Sequence, residues 1–250
     1  MANLTEENLI PLGRALIPGE RVIRIGNSLI PASVLAAEKV QPPVKGLVFY
    51  HSFDGTSTAK SDVGAKTLSN PYGPITYTQM QGIPCAFFSS AGMTFPQINE
   101  IVTGTPFAVS VWFKGTNDTI TTGVWVCSPG TSGQATAGLT VAANVSTNKF
   151  QVGNAGPNIY VTADTFDLTQ WHCLCFNSDG SAFTFYVDGV LQISETLWNI
   201  NPDSRQGGFG KITQYHDPLT GYLAAARAYY RALTSDEIAA LASEFTPSAS

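Results

Sequence analysis

The sequence predicts an all-β protein: a two-sheet antiparallel sandwich closed by a short C-terminal helix and preceded by an extended N-terminal arm. Three observations carry this. Only 12 % of the 250 residues are charged, while Gly (23) and Pro (15) are abundant. Thr, Val, Ser and Phe are abundant, a composition that suits pleated, half-buried surfaces and tight turns. From Lys45 onward, short apolar stretches alternate with turn clusters, the spacing of a sandwich rather than of βαβ units.

The arm comes first and spans residues 1–44. Leu-Ile-Pro occurs in it three times, at Leu9-Ile10-Pro11, Leu16-Ile17-Pro18 and Leu29-Ile30-Pro31. Each proline removes a backbone donor and pushes the preceding Ile toward extended geometry, so no long helix is compatible with the stretch. RVIRIG is expected to form one short strand, and PASVLAAEK, from Pro31 to Lys39, a turn or two of helix. Gln41-Pro42-Pro43 is a stiff stop and marks the boundary to a domain spanning 45–250. The arm is too small to form a core of its own. Leu9, Ile10, Leu16, Ile17, Leu29 and Ile30 are therefore expected to dock against a partner, either another protein or a second copy of the chain, for instance in a trimer.

The strands expected in the domain begin with GLVFYHSFD at Gly46, CAFFSS at Cys85, FAVSVWFK at Phe107 and GVWVCS at Gly123. GLTVAAN at Gly138, KFQVG at Lys149 and NIYVTA at Asn158 follow, then WHCLCFN at Trp171, FTFYVDG at Phe183 and GYLAAARAYY at Gly221. Asp179-Gly180 and Asp188-Gly189 predict hairpin turns, because Asp-Gly tolerates positive φ. Trp112 and Trp171 are large enough to fill the space between two sheets. Near the C-terminus, Thr234 and Glu237 form a capping-box pattern, and Ile238, Leu241 and Phe245 give the helix an apolar stripe.

Several functions are disfavoured. The net charge of -5 is spread along the chain without a basic run, which argues against nucleic acid as a partner. No stretch approaches about 20 uninterrupted apolar residues, so no membrane insertion is expected. MANLTEENL carries acids where a secretory signal would carry Lys or Arg. Cys85, Cys127, Cys173 and Cys175 lack zinc-ligand spacing and are expected to be reduced, buried hydrophobes. The three histidines, His51, His172 and His216, fall in separate segments, so no Ser-His-Asp arrangement is legible.

Four segments together resemble a known family. GLVFYHSFDG, FAVSVWFKG, DLTQWHCLCFNSDGSAFTFYVDGVL and GYLAAARAYYRALTSDEIAAL are similar, in order and spacing, to laminin G-like domains. These are concanavalin A-like jelly rolls, and the resemblance covers about residues 45–245. It implies a curved jelly roll whose concave sheet or rim loops hold ligands. Many relatives bind calcium through Asp-Asp in the closing strand; this chain reads Ala224-Ala225-Ala226 there, so no cofactor is expected even though calcium suits the fold. Glycosidases of the wider fold alternate carboxylates along one strand. Glu100 and Glu195 are isolated here, so the chain is not expected to be an enzyme.

Sugar binding needs an aromatic face and polar groups for the hydroxyls. Trp198 and Tyr215-His216-Asp217 are the loop-placed candidates, with Trp125 and Tyr160 joining them where their side chains face outward. A lectin-like domain behind an apolar arm resembles bacteriophage virion proteins: a tail fibre, head fibre or decoration protein, made in the host cytoplasm, that touches host-surface glycans. The alternatives are a free bacterial carbohydrate-binding protein, a remnant of a polysaccharide-degrading enzyme, and a purely structural assembly protein without a glycan ligand.

Overall fold

The computed structural model describes residues 22–25, 28–31, 41–55, 68–96, 98–116, 122–127, 138–154, 158–200, 207–210 and 219–245. The chain divides into two compact units, Met1–Gln41 and Pro42–Ser250. In the first, strands β1 (Val22–Ile25) and β2 (Ser28–Pro31) pair antiparallel, with Val22 opposite Pro31 and Ile25 opposite Ser28. The expected single strand over RVIRIG is thus one half of a hairpin. Pro31, expected at the start of a helix, instead ends β2, where its missing N–H costs least. Residues 32–39 lie outside the described residues, as do Leu9, Ile10, Leu16 and Ile17; Leu29 and Ile30 belong to β2.

The second unit is a sandwich of two antiparallel sheets. The first sheet joins β3 (Leu47–His51), β5 (Ile75–Met80), β7 (Phe107–Gly115), β12 (His172–Ser178), β13 (Ala182–Val187), β14 (Val190–Thr196) and β16 (Leu219–Tyr229). The second joins β4 (Ser69–Tyr72), β8 (Thr122–Cys127), β9 (Leu139–Asn144), β10 (Lys149–Gly153), β11 (Ile159–Val161) and β15 (Gly207–Gly210). Strand β6 (Ile83–Phe95) belongs to both: Ile83–Phe88 pairs with β5, and Gly92–Phe95 pairs with β15. It changes sheet at a bulge, where Ser90 takes φ +49° and its N–H donates to Thr220 Oγ1.

The all-β, jelly-roll expectation therefore holds. The ten expected strands are all present, and among the described residues of the domain four more occur: β4, β5, β14 and β15. Asp188-Gly189 is a two-residue turn with both φ positive (53° and 77°), so the twist of β13 and β14 continues through it. Asp179 holds the other hairpin, its Oδ1 accepting from the backbone N–H of Ser181 and Ala182.

Between the sheets lies a core rich in aromatic rings. Phe49, Phe95, Trp125 and Phe209 form one group, with ring centroids 4.8–6.4 Å apart. Phe107, Phe176, Phe183 and Trp198 form a second. Gly207 is required beside the first group, since a Cβ there would stand 2.3 Å from the Phe95 ring.

A second apolar cluster covers the outer face of the first sheet beneath helix α1 (Ser235–Ala242). Trp112 and Trp171 sit here, which corrects the expectation that they fill the space between the sheets. The reason is strand parity: on β7, Phe107, Val109, Val111 and Phe113 face the inner core, so Trp112 must face outward. There its Nε1 donates to the Leu241 carbonyl at 3.2 Å, and Phe245 packs edge-on against its ring. Thr234 and Glu237 close the predicted capping box.

Candidate functional site

Of the candidate sugar-binding residues, Tyr215, His216 and Asp217 lie outside the described residues. Trp198 is described and does not offer its ring. It is 6 % exposed, and its Nε1 donates to the Gly138 carbonyl at 2.8 Å. Tyr160 stacks on it at 5.9 Å, and Phe183 meets it edge-on at 5.2 Å. The loop after β14 dives inward because Thr103 ties it down: its Oγ1 donates to the Trp198 carbonyl and accepts from Ile200 N–H. Trp198 is thus a core residue, a correction to its expected role as a sugar platform. Trp125 is fully buried for the same parity reason as the rest of the inner core, and Tyr160 is spent on Trp198.

The outer face of the first sheet presents a different aromatic group. Antiparallel register places Thr76, Phe87, Tyr222 and Lys114 side by side on β5, β6, β16 and β7. Trp171, immediately before β12, ends the row. Phe87 and Tyr222 share a face with Cys85 and Ala224, which are buried in the cluster that includes Ile238 and Leu241 of α1; one step further along the strands, Phe87, Tyr222 and Lys114 are only half-buried. The Phe87 and Tyr222 rings lie 4.8 Å apart, tilted by 41°. Tyr222 and Trp171 are 6.4 Å apart. Strands two apart in a sheet are separated by about 10 Å, so these two rings lean toward each other across Lys114.

Lys114 donates its Nζ to the Thr169 carbonyl. Burial lowers its pKa, and the nearby charge of Asp167 works in the opposite direction. The segment carrying Trp171 is held rigidly. His172 Nδ1 lies 2.7 Å from Asp188 Oδ2 and its Nε2 lies 2.9 Å from the Asp167 carbonyl. Asp188 Oδ1 also accepts from Cys173 N–H. The Asp-Gly hairpin therefore does more than turn the chain, since its carboxylate locks the Trp-His segment in place. The Thr169 backbone N–H and hydroxyl donate to Asp167, and these bonds hold that carboxyl below its ordinary pKa. Chemically the row offers aromatic faces, an ammonium donor and neighbouring threonine hydroxyls, a set suited to holding a polyhydroxylated ring and lacking any acid–base pair.

Sequence reasoning missed Phe87 and Tyr222. Their only signal was parity with Cys85 and Ala224, and it becomes informative only once the covered face is known.

At the metal site expected from the family, Ala224, Ala225 and Ala226 are fully buried in β16 and offer no oxygen ligands from their side chains. Among the described residues no three His, Cys, Asp or Glu side chains come together as a metal site. Cys85, Cys173 and Cys175 are free and buried. Among the described residues no helix is long and apolar enough to cross a membrane.

Comparison with solved structures finds the same architecture in domain 4 of AbnA, a GH43 extracellular arabinanase from Geobacillus stearothermophilus, solved with arabinotriose. The two share 20 % identity with a TM-score of 0.59, covering 78 % of this chain and 98 % of that domain. The receptor-binding domain of a botulinum neurotoxin C/D mosaic matches at 12 % identity and a TM-score of 0.62, over 79 % of this chain. A structure of botulinum neurotoxin type C, a toxin whose passage into cells depends upon interaction with two ganglioside molecules, matches at 12 % identity and 0.59, over 79 % of this chain. The chain spans about half the length of both toxin chains, 51 % and 50 %. No curated protein sequence matches the chain. The family described as the concanavalin A-like lectin/glucanases superfamily matches residues 88–239, more than half of the 250 residues. With the two-sheet sandwich, the capped closing helix and this match in agreement, the chain belongs to the concanavalin A-like lectin/glucanase superfamily.

Proposed function

We propose that the chain is a non-enzymatic structural protein of a virus particle, attached through its N-terminal arm, whose jelly roll binds host-surface glycans. Membership of the concanavalin A-like superfamily carries the glycan-binding half of this reading. The fold neighbours support it: one was solved with arabinotriose, and another belongs to a toxin that interacts with gangliosides. A partly exposed aromatic row with no paired carboxylates suits binding better than hydrolysis, which in this fold calls for two carboxyl groups flanking the bond.

The attachment half rests on sequence. Three Leu-Ile-Pro steps place apolar pairs at intervals along a segment that cannot become a long helix. Such surface is stabilised only when buried against something. A phage tail fibre, head fibre or decoration protein fits an arm of this kind in front of a lectin-like domain.

A glycan array probed with the full chain tests the first half, and reproducible retention of a glycan class is the expected result. Deleting residues 1–40 tests the second. Particles should lose the truncated chain, measured by gel, while its circular dichroism remains that of a folded β protein. Unchanged incorporation would overturn the attachment role.

A further inference from the structure

We propose that β11 (Ile159–Val161) pairs edge to edge with β11 of a second copy of the chain, joining two sandwiches about a two-fold axis. The contact does not depend on the glycan-binding reading above. Three observations lead to it. The first is the hydrogen-bond register. β11 pairs with β10 on one side, with Val152 opposite Tyr160. Asn154 N–H donates to the Asn158 carbonyl and Thr162 N–H to the Phe150 carbonyl, so positions 158, 160 and 162 are the ones bonded to β10. The N–H and C=O groups of Ile159 and Val161 therefore point the other way, along the free edge of the second sheet. That edge is complementary to itself. When two copies lie antiparallel about Tyr160, Ile159 of each meets Val161 of the other, and every N–H on the two edges finds a carbonyl.

The second observation is what the edge carries. Ile159 and Val161 are 54 % and 45 % exposed, and in the pair they form cross-strand aliphatic contacts on one face. Free edges are ordinarily guarded by charge, proline or a bulge. β14, which ends the first sheet, has such guards in the register shift at Phe185/Tyr186 and the exposed Glu195. From Asn158 to Thr162 the chain carries neither charge nor proline, and the register with β10 is unbroken. Tyr160 packs inward on Trp198 and Phe183, so the core holds the strand in place for pairing. The third observation is the surface beside the strand. β11 and β14 end the two sheets on the same side of the sandwich, where Asp164 N–H donates to Gln192 Oε1 and Gln192 Nε2 donates to Asp164 Oδ2. Val190 and Leu191, 59 % and 51 % exposed, lie on β14 next to this link. Four of the six large apolar side chains that are exposed among the described residues thus lie on the two edge strands of this side. With only three residues in β11, the contact belongs to the weak, concentration-dependent class.

Sedimentation of the full chain up to about 1 mM should show a reversible shift toward twice the mass of one chain. Amide exchange followed by NMR should slow at Ile159 and Val161 as concentration rises. Tyr160, already bonded to Val152, should not change. Val161→Lys should abolish the mass shift. Val161→Pro should abolish it too and keep the circular dichroism of a folded β protein, because the N–H it removes takes no part in the ladder with β10. Val44→Lys, at an apolar residue 80 % exposed and away from this edge in the sequence, should leave association unchanged. A chain that stays monomeric at about 1 mM would overturn the proposal. So would association that survives both Val161 variants, since the contact would then lie elsewhere, as on the N-terminal arm. Association without slowed exchange at Ile159 and Val161 would overturn it as well.

Discussion

Arg227 and Glu244 form a two-pronged ion pair beneath the C-terminal helix, Nη1 to Oε2 at 2.7 Å and Nη2 to Oε1 at 2.6 Å. Both residues are buried, and the guanidinium also lies 4.6 Å from the centre of the Tyr50 ring. The pair ties the end of the chain to the middle of β16. Removing one partner strands a buried charge, so Arg227→Met alone should destabilise by about 3–5 kcal/mol. Arg227→Met with Glu244→Leu should recover most of that loss. Urea denaturation of the two variants checks the difference.

Glu237 sets an acid limit on the same corner. It caps α1 and pairs with Arg231 at 2.6 Å, and the Arg231 hydrogen bonds are the main cause that lowers its pKa from 4.5 to about 2. A carboxyl depressed in the folded state contributes stability above its unfolded pKa and loses it as pH falls through the folded one. Melting temperature should therefore decline between pH 4.5 and 2, and Glu237→Gln should flatten that part of the profile. Thr234→Ala should cost about 1 kcal/mol by removing the other half of the capping box.

Asp188 joins the β13–β14 turn to His172 and to the Cys173 backbone. Asp188→Ala leaves a buried imidazole nitrogen and a strand N–H without their acceptor. A loss of about 1–3 kcal/mol is expected. Amide exchange at Cys173 should rise more than at Phe176, deeper in the same strand.

The thiols beneath the helix should be inert. Burial pushes the pKa of Cys175 up to about 12 and that of Cys85 up to about 11, and raises that of Cys173 well above its ordinary value. Ellman's reagent at pH 8 should leave all three unmodified in the native chain and reach them in guanidinium. Rapid native labelling at these positions would contradict the packing beneath α1.

Trp198→Ala should destabilise by about 3–5 kcal/mol, the cost of emptying a large core site. Trp198→Phe should fold and bind any glycan ligand as the natural chain does. Loss of binding in a folded Trp198→Phe variant would return this residue to the binding site.

How far these elements were legible varies with what determines them. FAVSVWFK and WHCLCFN announce themselves as strands through apolar and β-branched content, and both Asp-Gly turns through backbone preference. The strands that went unseen lack such local signals. ITYTQM is half-polar because its side chains are exposed in alternation, and VLQISET lies on the sheet edge. GGFG is a strand through its pairing with β6 and β8, where Gly207 leaves room for the Phe95 ring. The site was the least legible part. Trp198 looks like a loop aromatic until Thr103 is seen to draw its loop into the core. Phe87 and Tyr222 look like ordinary strand residues until the fold is seen to leave both only half-buried on the outer face.

The sequence by itself determined what is local: the strands with strong propensity, the positive-φ turns and the capped helix. Only the tertiary structure decided which face of each strand is inside. On β7 and β12 both faces are apolar, so alternation alone leaves Trp112, Cys173 and Cys175 equally suited to either side. The choice falls to partners distant in sequence, the second sheet on one face and helix α1 on the other. Burial is a property of what packs across, and that is what turned two tryptophans outward, drew a third inward and left an aromatic row at the margin.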